Sequence, residues 1–117
     1  MSDRRAFTLL ELLFAVGIVA LMASMALPNY LKSVEQNRRN EAVYILHYIR
    51  ASELRYEAEH KTFTASWADL DIDDPSPQSN SFDYTIPLAT AADFQALATR
   101  RSPTPYQLQI DRSGTIT

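Results

Sequence analysis

Arg4-Arg5-Ala6-Phe7-Thr8-Leu9-Leu10-Glu11-Leu12-Leu13 is the stretch that decides this sequence, because it opens a run from Leu12 to Leu27 without a single charge. That run is sixteen residues long, and counting from Phe7 it becomes twenty-one with one carboxylate. As a helix, twenty-one residues cover about 32 Å, enough to cross the hydrocarbon core of a bilayer. Arg4 and Arg5 stand just before it, so the N-terminus is expected to stay cytoplasmic and the remainder to emerge on the far side.

Past Pro28 the apolar positions take a helical period. Tyr30, Leu31, Val34, Ala42, Ile45, Leu46 and Ile49 fall at steps of three and four, with Lys32, Glu35, Arg38 and Arg39 between them. No Gly or Pro interrupts from Asn29 to Thr62, and Glu35 and Arg39 stand four apart in the favourable order. The pattern predicts one helix from about Phe7 to about Glu59, roughly 80 Å long. Tyr44, Tyr48, Ala51 and Arg55 form a second stripe that serves either neighbours or the chain's own domain. Beyond the helix, Thr62 to Pro77 reads as a loop with a short turn around Ser66 to Leu70 and Trp67 as a plug over a sheet. Strands are expected at Phe82–Ile86, Phe94–Thr99 and Tyr106–Ile110, with Asp111-Arg112-Ser113-Gly114 turning the chain into a last short strand at Thr115–Thr117. Gly17 and Pro28 bracket a weak part of the first helix, where a bend or opening is expected.

Glu11 demands an explanation. A carboxylate central in a membrane helix costs about 2.5 to 3.5 kcal/mol on insertion scales, so an acid inside such a segment marks a function by default. The run from Ala6 to Leu13, with its basic leader, resembles the class III signal sequence of type IV prepilins. Pro28 falls where many pilins carry a helix-bending proline, and the end of the helix with the loop after it, Tyr56 to Phe63, is similar to many Gram-negative pilins.

That resemblance implies cleavage by a prepilin peptidase between Ala6 and Phe7 and methylation of the new Phe7 amine. It also implies assembly through the apolar segment: Glu11 for register, and Leu9, Leu10, Leu12, Leu13, Gly17 and Pro28 within the filament-forming helix. The physics agrees, since a desolvated amine and a desolvated carboxylate each lower the other's cost when subunits stack. Ala6 stands where the family usually has Gly, and no cysteine pair closes a C-terminal loop. Compact pilins, minor pilins and type II secretion pseudopilins therefore stay open.

Other classes fare worse. A net charge of −3 leaves no net basic surface for nucleic acid, although Arg38-Arg39 and Arg100-Arg101 form local clusters, and with no cysteine there is no disulfide, thiolate metal site or thiol nucleophile. His47 and His60 have no acid or cysteine at a metal-ligand spacing. Asp69, Asp71 and Asp73 match the alternate-acid start of a calcium loop, but Asp74 replaces its Gly and Asn80 its bidentate Glu. A secretory signal cut after Ala26, or a plain anchor for a periplasmic binding module, leaves Glu11 unexplained.

The expected fold is α+β, one long N-terminal helix packed on a small antiparallel sheet of about four strands. The expected organisation is a leader at 1–6, a transmembrane and filament-core helix at 7–28 and a globular periplasmic or extracellular part at 29–117. No enzyme activity, cofactor or metal is expected. The expected partners are further copies or other pilins, the prepilin peptidase, the inner-membrane assembly machinery and, before assembly, the lipid bilayer. Localisation runs from the inner membrane to an extracellular pilus or periplasmic pseudopilus.

Overall fold

A computed structural model describes residues 8–117. Helix α1 runs unbroken over Leu9–His60, followed by two 3-10 turns at Trp67–Asp69 and Ser76–Gln78 and by strands β1 (Phe82–Ala89), β2 (Phe94–Arg100) and β3 (Gln107–Asp111). The chain divides into two units, 1–37 and 38–117. In the single chain the stretch between Gly17 and Pro28 is α-helix throughout. Pro28 has no N–H to donate to the Ser24 carbonyl, so one rung of the ladder is missing there while two side chains bond to other carbonyls nearby. Ser24 Oγ donates to the Leu21 carbonyl at 2.7 Å, and Asn29 Nδ2 to the Met25 carbonyl at 3.4 Å.

The second unit holds the core. Ala42, Leu46 and Ile49 recur at steps of four and three along α1 and are fully buried, so one face of the helix is apolar. The strands answer with alternation: Phe82, Tyr84 and Ile86 of β1, Phe94, Ala96 and Ala98 of β2, and Leu108 and Ile110 of β3 join the same cluster. Phe63, Leu70 and Ile72 from the intervening loop complete it, and Trp67 packs against its side. The sheet is an antiparallel meander in the order β1-β2-β3. In place of a fourth strand the structure has an isolated bridge, Ile110 to Ile116, with Gln109 and Thr117 exchanging backbone hydrogen bonds at 3.1 and 3.0 Å.

Helix α1 ends because Lys61 takes φ 61°, the left-handed conformation that closes helices, and its N–H donates to the Glu57 carbonyl at 2.7 Å. The turn at Gly114 takes φ 84°, and an added Cβ there would stand 3.2 Å from the Arg50 guanidinium. Arg50 Nε also donates to the Arg112 carbonyl at 3.0 Å, fixing this turn to the helix. Both sheet edges are covered. Ser76 Oγ accepts from the Tyr84 N–H at 2.8 Å and donates to the Tyr84 carbonyl at 3.1 Å, while Thr117 covers β3. Pro87 and a register shift between Thr85 and Leu88 blunt the rest of β1.

Charged residues that look like surface in the sequence hold this unit together. Arg55 grips Asp71 with Nε to Oδ2 at 2.6 Å and Nη2 to Oδ1 at 3.0 Å, and Ser52 donates to the same carboxylate. The second stripe is thereby divided: Arg55 serves its own domain, whereas Tyr44 and Tyr48 stay 69% and 49% exposed. The pair Arg100-Arg101 is no free basic cluster. Arg100 is buried and donates to the Ser81 carbonyl, and Arg101 reaches Asp83 Oδ1 at 2.7 Å and the carbonyls of Ser79 and Ser76.

Glu53 is the one fully buried acid among the described residues, with Oε2 accepting the Thr64 N–H at 3.0 Å and Oε1 unpartnered. Burial pushes its carboxyl up and the Thr64 bond partly offsets this, whereas the Arg55 and Ser52 bonds hold Asp71 down at about 2. The two act in opposite windows. Asp71 contributes stability that is lost as pH falls from 3.8 through about 2. Folded Glu53 holds its proton better than the unfolded chain does, so its contribution is lost as pH rises above 4.5 through its raised value. Begun at Asn29, the chain is expected to be soluble and helical, and urea unfolding between about pH 4 and about pH 8 will show stability declining with pH. In Glu53→Gln that decline should flatten; an unchanged slope would mean that Glu53 is not its source.

Candidate functional site

The first unit has the inverse problem, apolar side chains that stand exposed. Leu9, Leu10, Leu12 and Leu13 are 54% to 76% exposed, and the large residues beyond them, from Phe14 to Leu27, are exposed as well. An eighteen-residue window of this helix reaches a mean hydropathy of 2.3 with none of it buried, long and apolar enough to cross a membrane. Water is no solvent for such a surface, at about 25 cal/mol for each Å² of apolar area left exposed.

The start of the helix is built by two residues three apart. Glu11 N–H donates to Thr8 Oγ1 at 3.1 Å, and Thr8 N–H donates to Glu11 Oε2 at 3.2 Å. This reciprocal pair is a capping box, which satisfies two backbone donors that a helix N-terminus leaves without partners. The acid thus has a structural task inside its own chain, and it folds its carboxylate back over the first turn. Thr8 is the functional residue that sequence reasoning missed. Its signal was present, since threonine with glutamate three positions later, ahead of an apolar run, is the capping-box pattern.

Of the other expected site residues, Ala6 and Phe7 lie outside the described residues. Gly17 sits inside the helix with open space where a Cβ would stand. Leu10, Leu13, Phe14, Gly17, Ile18 and Leu21 line one open groove of about 430 Å³. Pro28 lies inside the helix, after Ser24 and before Asn29, whose side chains bond back to its carbonyls.

Reactive chemistry does not converge elsewhere among the described residues. The two histidines are apart, His47 exposed on the helix and His60 stacked on Tyr56 at 4.1 Å between ring centres. The acidic loop is spent locally: Asp69 accepts the Thr64 hydroxyl, Asp71 binds Arg55, and Asp74 accepts the Ser76 N–H. Among the described residues no group of three His, Asp or Glu side chains could hold a metal ion.

Residues 1–27 match the family model of the prokaryotic N-terminal methylation motif, the class III signal of type IV pilins and pseudopilins. The match covers the capping box, the groove and the expected cut site before Phe7, and stops one residue short of Pro28. A search of the curated proteins finds no match. Thr8→Ala removes the N-cap oxygen, at a cost of about 1 kcal/mol. In detergent micelles the amides of residues 9–12 should then exchange about five-fold faster while those of 42–49 keep their rates; equal protection in both proteins would show that the box does not hold the helix start.

Proposed function

We propose that this chain, by its methylation motif a precursor of the type IV pilin or pseudopilin kind, is a structural subunit that polymerises into a cell-surface filament through residues 7–28. A prepilin peptidase removes residues 1–6, and the amine of Phe7 is methylated. Until assembly, the subunit stays in the inner membrane as a single-pass protein, with residues 29–117 on the far side.

The observation that supports this reading is the exposed apolar surface of the helix from Leu9 to Leu27. Lipid covers it before assembly, and the same segment of other copies covers it afterwards. Polymerisation through the sheet is disfavoured, because Ser76, Pro87 and Thr117 blunt its edges. Processing supplies the driving charge. Cleavage before Phe7 leaves a cation next to the helix start, and Glu11 of a neighbour relieves its desolvation.

The capping box sharpens the test of Glu11. Gln serves the box as well as Glu does, so Glu11→Gln keeps the cap and removes only the charge. The variant should accumulate in the inner membrane at least as well as wild type and be cut normally, yet form few fibres, since a buried pair that loses one partner costs about 3 to 5 kcal/mol. Sheared-fibre yield against membrane pool measures this; normal fibre yield would remove the amine-carboxylate account. Mass spectrometry of the mature chain should give a methylated start at Phe7. A start at Leu27 would establish secretory cleavage after Ala26 and overturn the filament reading.

A further inference from the structure

Residues 64–70 leave the core and return to it. Phe63 before them and Leu70 at their end are buried, whereas Ala65, Ser66, Ala68 and Asp69 are exposed. The hydrogen bonds of this segment are mostly internal. Thr64 Oγ1 donates to Asp69 Oδ2 at 2.8 Å and accepts from the Ser66 N–H at 3.1 Å, while the N–H groups of Asp69 and Leu70 donate to the carbonyls of Ser66 and Trp67, both at 3.2 Å. Bonds of this kind travel with the segment. Among the described residues one hydrogen bond ties it to the rest of the chain, from the Thr64 N–H to Glu53 Oε2 at 3.0 Å.

That tie is made by an acid in poor surroundings for a charge. Glu53 is fully buried, and its Oε1 meets no donor. Of the charged or titratable groups on the elements around it, Arg50 donates to the Arg112 carbonyl, Arg112 lies over the Phe63 ring at 5.7 Å, and His60 stacks on Tyr56. Asp69 and Asp93 accept other donors, and Glu57, one turn on, is another acid. None of them pairs with Glu53, whose carboxyl is shifted by burial and by the Thr64 bond alone. A neutral carboxyl is tolerated at such a place, whereas a carboxylate with one donor and no counter-charge is strongly disfavoured.

We propose that Glu53 is a proton-operated latch, which holds residues 64–70 closed while it keeps its proton and releases them when it loses it. The proton passes to solvent, and water reaches Oε1 once Thr64 and the residues after it move off. Release stays local because Asp71, just beyond the segment, is fixed independently by Arg55 and Ser52. Those bonds hold its carboxyl at about 2, so this clamp remains closed at every pH at which Glu53 changes. The latch belongs to the single subunit and does not depend on the filament reading.

Hydrogen exchange of the full chain in detergent micelles tests it. From pH 4.5 upward the protection of the Thr64 amide, corrected for the ordinary base catalysis of exchange, should fall about tenfold for each pH unit. At each pH Thr64 should exchange faster than the amides of 42–49, and dilute urea should speed those amides while hardly changing Thr64, because a local opening exposes little surface. In Glu53→Gln, which keeps an acceptor for Thr64 and leaves His47 and His60 in place, Thr64 protection should no longer depend on pH. A second reading needs no variant: the side-chain carboxyl resonance of Glu53 in the wild-type chain should titrate above 4.5, at the upper end of the range in which Thr64 loses protection. Thr64 protection that holds to about pH 8, a fall that persists in Glu53→Gln, or a carboxyl that titrates at or below 4.5 overturns the latch. So does one protection with one urea dependence shared by Thr64 and 42–49, since the chain would then open only as a whole.

Discussion

Apart from its ends and the rung missing at Pro28, the backbone ladder of α1 satisfies its own donors and acceptors, so the same backbone can stand in hydrocarbon, in water or against a sheet while its side chains alone decide which. Residues 9–27 present apolar groups on all sides. Residues 38–60 present one apolar face, at Ala42, Leu46 and Ile49, and polar groups elsewhere. Both ends of the ladder are met locally. Thr8 and Glu11 close its start, and Lys61 closes its end in a left-handed turn.

The second unit has a small core, and side chains with long-range bonds complete it. Arg55 with Asp71, Arg101 with Asp83 and the loop carbonyls, and Arg50 with the Arg112 carbonyl each join segments distant in sequence. Exposed ion pairs of this kind contribute little stability singly. Their effect is to choose where a loop lies, because a two-point guanidinium contact admits few geometries. Glu53 shows the opposite trade: a buried acid costs stability at neutral pH while anchoring the loop at Thr64.

Glu11 joins two roles in one side chain. In a single subunit it caps its own helix through Thr8, and in the proposed filament its charge answers a neighbour's amine. Both roles place the carboxylate at the first turn of the helix. A residue with a local use before assembly and an intermolecular use after it is held ready without an unsatisfied partner at either stage.

Much of this molecule was legible in the sequence because its main signals are local and periodic. The sixteen-residue uncharged run, the helical spacing from Tyr30 to Ile49 and the three strands with their alternation each depend on neighbours a few residues away. The N-terminal motif is likewise contiguous, and the Thr8-Glu11 box was readable by the same means although the acid alone drew attention. Only tertiary structure decided which charges are free and which are spent. Nothing near Arg101 in sequence announces Ser76 and Ser79, nor Asp71 near Arg55, and the burial of Glu53 depends on a loop eleven residues on. The count of strands turned on the same kind of fact, since whether Thr115–Thr117 pairs as a strand or only bridges depends on register with β3. Periodicity records the solvent a segment must face, whereas the partner of a particular side chain is set when separate segments meet in space.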